Sequence, residues 1–159
     1  MNANPIRPGA AAALAPWLLG AAAVLALGFG AAPARAAQLV NSSGSCVDIP
    51  RGDTNDGTPV NLFHCHGSAN QNWVVGSGTI SGENGVCLDV LGSVAKDGVA
   101  VIIVQCNGRP SQRWQVANGQ LIGLGNMCLD LQGGSTADNT PLVLATCNQS
   151  SPSQQWSVQ

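Results

Sequence analysis

The 159-residue chain carries little charge. Only 9% of its residues are Asp, Glu, Lys or Arg, and the formal net charge is −2. The basic residues are too few to neutralise the phosphates along a nucleic acid, and no run of acidic residues forms an acidic tail. We therefore expect no nucleic-acid partner.

The chain also lacks the residue patterns of common enzyme sites. Glu83 is its single glutamate, and its two histidines, His64 and His66, lie close together. It has no Ser-His-Asp order, no carboxylate pair suited to a catalytic cleft, and no glycine-rich phosphate loop. These absences predict a protein that is not an enzyme and that needs no cofactor.

The first 36 residues differ from the rest because they contain no acidic residue. Arg7 gives a positive start, an apolar run covers residues 10–32, and Ala34-Arg35-Ala36 supplies an Ala-x-Ala pattern. This layout is typical of a secretory signal peptide cleaved before Ala37. An uncleaved membrane anchor is the alternative, which Pro16 and the Gly/Ala-rich composition disfavour. The sequence thus predicts a secreted domain over residues 37–159, not inserted in the membrane after cleavage.

This second part of the chain repeats one unit three times. The first cysteine of each unit recurs every 41 residues, and the second cysteine follows 19 residues later. Each unit has Cys-x-Asp, an aspartate ten residues after the first cysteine, and a closing Gln-x-Trp. These features are Cys46–Asp48, Cys87–Asp89 and Cys128–Asp130; Asp56, Asp97 and Asp138; and Gln71–Trp73, Gln112–Trp114 and Gln154–Trp156. They define repeats near residues 38–77, 78–118 and 119–159.

Within each unit the pattern is that of short β-strands. Apolar runs such as Val99–Val104 are separated by Gly, Asn, Asp, Ser and Pro, which favour tight turns. We expect about four strands per unit, hence about twelve in all. Three units are few for a capped solenoid, so the repeats predict a closed threefold all-β structure, the β-trefoil. Closure would bring Trp73, Trp114 and Trp156 together in the core.

The six cysteines are expected to form one disulfide in each repeat, because export leads to an oxidising compartment. Of the possible pairings, the one inside each repeat respects the internal symmetry. It joins Cys46–Cys65, Cys87–Cys106 and Cys128–Cys147. Each bridge closes a loop of the same length, worth about 3 kcal/mol in loop entropy.

The threefold combination of Cys-x-Asp, a second cysteine and Gln-x-Trp resembles the ricin-B-type β-trefoil lectins, from Gln38 to the C-terminus. In that family the aspartate accepts hydrogen bonds from sugar hydroxyls, and an aromatic residue two before the second cysteine stacks on the sugar ring. An asparagine three before the tryptophan completes the contacts. A pyranose needs this mixture of polar groups and a flat apolar surface. The resemblance implies a carbohydrate-binding lectin with glycans as its partners.

The resemblance assigns one main site to the first repeat. Its residues are Asp48, Asn61, Phe63, His66, Asn70 and Gln71. Gln71 belongs to Gln-x-Trp in every repeat, so a structural role is equally open for it. The second and third repeats keep the aspartate but have Val104 and Ala145 in place of the aromatic residue, and are expected to bind sugar poorly or not at all.

Four alternatives accompany this interpretation. The aspartate of Cys-x-Asp persists in all repeats and could serve the fold, and Phe63 could be an ordinary strand residue. The domain could also bind a protein instead of a sugar, with the apolar run Val101–Val104 as an interface, although a buried strand is the simpler explanation. Galactose-, xylose-, mannose- and arabinose-containing glycans are all ligands in the family, and all stay open.

Two motifs bear a slight similarity to metal sites, and neither predicts one. In His64-Cys65-His66 the cysteine is assigned to a disulfide, and neighbouring residues of a strand point to opposite faces. The segment Asp53–Gly57 lacks the glutamate that a calcium loop requires. We expect no metal site.

Overall fold

The computed structural model of the protein describes residues 35–159, which form twelve short β-strands. The signal peptide predicted over residues 1–36 falls almost entirely outside them. The strands are β1 Leu39–Asn41, β2 Ser45–Asp48, β3 Asn61–His64, β4 Val74–Val75, β5 Ile80–Ser81, β6 Val86–Val90, β7 Val101–Gln105, β8 Gln115–Ala117, β9 Gln120–Ile122, β10 Cys128–Leu131, β11 Thr140–Ala145 and β12 Trp156–Val158. Single-turn 3-10 helices lie at Pro50–Gly52, Ala69–Gln71, Glu83–Gly85, Leu91–Ser93, Pro110–Gln112, Leu124–Asn126, Gln132–Gly134 and Pro152–Gln154. Within residues 35–159, no helix is long and apolar enough to cross a membrane.

Each repeat is built on an antiparallel hairpin whose first strand carries Cys-x-Asp. β2 pairs with β3, β6 with β7, and β10 with β11, in equivalent registers. Three pairings between repeats connect the hairpins in a cycle: Pro59–Ile102, Ala100–Val143 and Pro141–Asn61. This is the closed threefold arrangement predicted from the repeats.

The disulfides follow the predicted pairing inside each repeat: Cys46–Cys65, Cys87–Cys106 and Cys128–Cys147. Their Cα atoms lie 5.0–5.1 Å apart, within the range a disulfide bridges. The second cysteine comes just after the second hairpin strand in each repeat. Each bridge therefore ties the end of that strand to the start of the hairpin.

The Cys-x-Asp and Gln-x-Trp motifs are held together by two hydrogen bonds in every repeat. In the first repeat, Gln71 Nε2 donates to Asp48 Oδ1 at 3.0 Å, and Trp73 Nε1 donates to the carbonyl of Val47 at 3.0 Å. The same two bonds recur in the other repeats, as Gln112–Asp89 with Trp114–Leu88 and as Gln154–Asp130 with Trp156–Leu129. The two motifs recur together because each satisfies the buried polar groups of the other.

The core contains the tryptophan of each of the three repeats, as predicted. Trp73, Trp114 and Trp156 are at most 5% exposed and belong to one hydrophobic cluster with the inward-facing strand residues. A Cβ atom at Gly123 would lie only 2.7 Å from the ring of Trp114, so this close packing requires glycine. The run Val101–Ile103 is also buried, so it is a core strand and not an exposed interface.

The aspartate ten residues after the first cysteine links each repeat to the next. Asp56 accepts the backbone N–H of Gln105, and Asp97 accepts that of Thr146. Asp138 of the third repeat closes the cycle by accepting the N–H of His64 in the first repeat at 2.8 Å. From the sequence these aspartates are turn residues; the structure adds an inter-repeat bond that stabilises the closed arrangement.

Candidate functional site

The hairpin of the first repeat places three of the predicted site residues on neighbouring positions. Asp48 at the end of β2 lies directly opposite Asn61 at the start of β3. Phe63 follows two residues after Asn61, on the same face of β3. The 3-10 turn Ala69–Gln71 packs against the end of β2 and adds Asn70.

Asp48 is the centre of a hydrogen-bond network in which one carboxylate oxygen takes most of the bonds. Oδ1 accepts from Asn70 Nδ2 at 2.8 Å and from Gln71 Nε2 at 3.0 Å, and His66 Nε2 lies 3.4 Å away. The Asn61 amide, oriented so that its nitrogen faces the carboxylate, lies 3.3 Å from Oδ2. A carboxylate has about four acceptor positions, so Oδ2 keeps capacity for a further donor.

The equivalent aspartates of the other repeats are bonded differently. Asp89 Oδ1 accepts the N–H of Val90, and Asp130 Oδ1 accepts the N–H of Leu131, both at 2.7 Å. In the first repeat the corresponding N–H, that of Ile49, goes instead to the backbone carbonyl of Asn70 at 3.0 Å. The Asp48 carboxylate is therefore contacted by side chains alone, whereas Asp89 and Asp130 each give one oxygen to the N–H of the next residue.

Aromatic rings form one side of the site. The ring centroid of Phe63 lies 4.3 Å from that of His64 and 5.9 Å from that of His66. Phe63 is partly exposed, in contrast to the fully buried Leu62 beside it. His66 Nδ1 accepts the N–H of Ser68 at 3.3 Å, which leaves Nε2 to carry the proton that faces Asp48 in the neutral ring. The site thus offers an apolar ring surface beside a carboxylate and donors.

These groups border a cavity of about 340 Å³. It is lined by Asp48, Pro50, Arg51, Phe63, His66, Asn70 and Asn139. Four of the six predicted site residues are among them. Asn61 lines an adjoining cavity instead, and Gln71 is fully buried. Gln71 has no surface for a ligand, which favours the structural one of its two predicted roles.

The comparison with known families agrees with the motifs. The sequence model described as the ricin-type beta-trefoil lectin domain matches residues 35–156. The chain belongs to this lectin family. The matched residues extend through all three repeats and include both cysteines of each disulfide.

Solved structures support the same fold. The designed threefold-symmetric protein ThreeFoil is 26% identical, with a TM-score of 0.71 over 77% of this chain and 96% of its own. A non-toxic homologue of type II RIPs from Momordica charantia, in complex with α-methyl-D-galactoside, is also 26% identical, with a TM-score of 0.69 over 78% of this chain and 47% of its own. The C-half of the earthworm R-type lectin, in complex with GalNAc, is 15% identical and shares the fold, with a TM-score of 0.68 over 79% of this chain and 98% of its own. The predicted β-trefoil is confirmed.

In this lectin domain, two cavity residues were not predicted from the sequence. Asn139 comes from the third repeat and reaches the first-repeat site across the junction closed by Asp138. Arg51 follows β2 in the turn Pro50–Gly52. Both have a positive φ, 65° at Asn139 and 56° at Arg51. The signal in the sequence is that the other repeats have glycine at both positions, which suits this backbone conformation better.

Two carboxyl groups near the site have shifted pKa values. Burial raises the pKa of Asp48 above its ordinary value of 3.8, and the hydrogen bond from Gln71 and the neighbouring His66 offset only part of the rise. The hydrogen bond from His64, whose Nδ1 lies 2.8 Å from Oδ2, lowers the pKa of Asp138 below 3.8. Burial therefore dominates for Asp48 and the histidine contact dominates for Asp138.

The site contains no arrangement suited to a metal ion. His64 and His66 both lie near carboxylates, yet Cys65 between them is in a disulfide. Across residues 35–159, no group of three or more His, Cys, Asp or Glu side chains gathers as a metal site requires. The cavity offers hydrogen-bonding groups and an aromatic surface instead.

Proposed function

We propose that the protein is a secreted, non-catalytic lectin that binds glycans through one main site in the first repeat. The membership of the chain in the lectin family gives the class of ligand. Disulfides in all three repeats suit an extracellular protein, and the leader over residues 1–36 is proposed as its signal peptide. The domain over residues 37–159 then carries the binding activity.

The observation that carries the proposal is the bonding of Asp48. Its Oδ2 keeps free acceptor capacity beside Phe63, in a cavity that Asn70 also lines. A sugar hydroxyl can donate to this carboxylate while the C–H face of its ring packs on the phenyl ring. In the other repeats one oxygen of the aspartate bonds to the next backbone N–H, and Val104 or Ala145 replaces the aromatic residue, so they lack the flat surface for the sugar ring.

Galactose-type sugars are the first ligands to test. The similar Momordica charantia protein was solved with α-methyl-D-galactoside, and the earthworm lectin, which shares the fold, with GalNAc. Glycans of mannose, xylose and arabinose belong in the same panel, because the cavity residues bind hydroxyls without selecting one sugar by themselves.

The test is a glycan array with the chain of residues 37–159 and its Phe63→Ala variant. Binding of the parent to one class of glycan, lost in the variant, is the expected result. The third repeat already has alanine at this position, so the variant should fold. If no glycan binds while the parent is folded, the lectin function is wrong, and a protein-binding domain becomes the better account.

A further inference from the structure

A second cavity adjoins the first. It also has a volume of about 340 Å³, and its lining includes Asp53, Pro59, Asn61 and Pro141. Pro50, Arg51 and Asn139 line both cavities, so the two meet along a common border. Asn139 and Pro141 come from the third repeat, and the other lining residues come from the first.

The polar residues at this border are those that break the threefold pattern. Asn61 is replaced by Ile102 and Val143 in the other repeats, at the position opposite the aspartate. Arg51 is replaced by Gly92 and Gly133, and Asn139 by Gly57 and Gly98. All three distinctive residues line the second cavity, and two of them line the first as well.

Arg51 is also a residue that the backbone conformation at its position would not favour. Arg51 and Asn139 each adopt the left-handed conformation where the equivalent residues are glycines with φ between 64° and 92°. Arginine seldom adopts this conformation, whereas asparagine tolerates it. The chain thus has side chains at two positions where the other repeats have glycine, and both line the same pair of cavities.

The lining of the second cavity suits a second sugar unit. Pro59 and Pro141 give apolar ring surfaces, while Asn61 and Asp53 give hydrogen-bonding groups. The Arg51 guanidinium forms no ion pair with any carboxylate of residues 35–159, so its donors are available to a ligand. The mixture of one cation, one carboxylate and neutral groups favours a neutral sugar over a strongly acidic one.

We propose that the second cavity is a subsite for the sugar unit next to the one bound by Asp48 and Phe63, so that the protein prefers glycans of two or more units. This inference rests on the proposed lectin function. Arg51 and Asn139, at the shared border, contact the linkage between the two sugars. Specificity for the linkage is thus built at the junction of the first and third repeats.

The test compares each monosaccharide glycoside with the matching disaccharide by calorimetry. The probes are methyl galactoside with β-1,3-galactobiose and lactose, and equivalent pairs for mannose, xylose and arabinose. For the sugar that binds, the disaccharide should bind about tenfold more tightly than the monosaccharide, which corresponds to about 1.4 kcal/mol. The readout is the ratio of the two affinities. A change confined to the first cavity alters both affinities by the same factor, so it leaves their ratio unchanged.

Two variants test the subsite. Pro141→Trp places an indole in the second cavity from an exposed strand position, and Arg51→Gly restores the residue of the other repeats and relieves its backbone strain. Both should lower the ratio to about one to two, since the second sugar then gains no contacts. Ala100→Trp is the matched control, because Ala100 of the second repeat occupies the equivalent inter-repeat position beside the third repeat. Its ratio should equal that of the parent.

The outcomes separate this inference from the proposed function. If monosaccharide and disaccharide bind the parent equally well, or if folded Pro141→Trp and Arg51→Gly both keep the tenfold preference, the subsite is wrong and the lectin function stands. If no probe binds and the array also shows no ligand, the lectin function itself fails, and the subsite with it.

Discussion

Asn70 bonds both to the side chain of Asp48 and to the backbone that follows it. Its Nδ2 donates to Asp48 Oδ1 at 2.8 Å, and its backbone carbonyl accepts the N–H of Ile49 at 3.0 Å. In the second and third repeats the aspartate itself accepts the N–H of the next residue. The same motif thus gives an aspartate whose carboxylate is contacted by side chains alone in the first repeat, and one that also accepts a backbone N–H in each of the other two.

The first prediction compares Asp48→Asn with Asp89→Asn. An asparagine at position 48 can keep its oxygen toward Asn70 and Gln71 and place its amide nitrogen toward the site, because the Asn61 amide can turn its oxygen to accept from it. It should remain folded and lose sugar affinity by a factor on the order of ten to a hundred, because a charge-assisted bond is lost. Calorimetry with the array ligand measures the loss.

The control, Asp89→Asn, should show the opposite behaviour. Both oxygens of Asp89 accept hydrogen bonds, from Val90 N–H and from Gln112 Nε2, so the new amide nitrogen must face a donor. This should cost about 1–3 kcal/mol in the free energy of unfolding, with little change in sugar affinity. Equal destabilisation of the two variants, with no effect on binding in the folded state, would mean that Asp48 is only structural.

The second prediction separates the aromatic surface from the core. Phe63→Ala should weaken sugar binding at least tenfold, about 1.4 kcal/mol, with a small effect on the melting temperature. Trp114→Ala removes a side chain that is 4% exposed, and should cost about 3–5 kcal/mol of stability. Thermal melting beside glycan binding measures both. An unchanged affinity in Phe63→Ala would contradict the proposed site.

Features inside one repeat could be predicted from the sequence, because fixed spacings placed them. The disulfides follow from the repeat pattern, and the resemblance to the lectin family assigned Asn61 and Asn70 to the site of Asp48, where the structure brings them together. Asn139 could not be placed in this way, since it is 78 residues from Asn61 and reaches it only when the third repeat closes on the first. The different hydrogen bonding of Asp48 could not be predicted either, because the Cys-x-Asp motif is present in all three repeats.

The third prediction concerns the closure between repeats. Asp138→Ala and Asp56→Ala each remove an acceptor for a backbone N–H of the next repeat, so both should lower the melting temperature. Asp138 alone holds His64, next to Phe63, and precedes Asn139 in the site. Asp138→Ala should therefore weaken sugar binding as well, whereas Asp56→Ala should not. Equal sugar affinities in the two variants would contradict a contribution of the third repeat to the site.

The fourth prediction is the pH dependence of binding. Burial raises the pKa of Asp48, so its carboxylate is protonated at a pH above the 3.8 of an ordinary aspartate, and sugar affinity should fall there. The hydrogen bond from His64 lowers the pKa of Asp138, so the contact that this carboxylate makes between repeats should persist below pH 3.8. As the pH falls, sugar affinity should thus be lost before the protein unfolds.

The shifted pKa values of the two carboxyl groups also make the stability of the fold depend on pH. The raised pKa of Asp48 favours folding below its unfolded pKa, and this contribution is lost as the pH rises through the folded pKa. The lowered pKa of Asp138 gives stability above 3.8 that is lost as the pH falls through the folded pKa. Calorimetry and circular dichroism over the acidic range measure binding and fold. His66→Gln should keep the acidic loss of binding, because the loss belongs to Asp48; its disappearance would contradict this assignment.

The central claim is that a single site in the first repeat binds the glycan. The measurement that tests it most directly is a titration of the 15N-labelled domain with the array ligand, followed through assigned backbone amide signals. One saturable binding event should shift the amides of Asp48, Phe63, His66, Asn70 and Asn139, with one ligand per chain. Comparable shifts around Asp89 and Val104 or around Asp130 and Ala145, with a stoichiometry near three, would contradict the account.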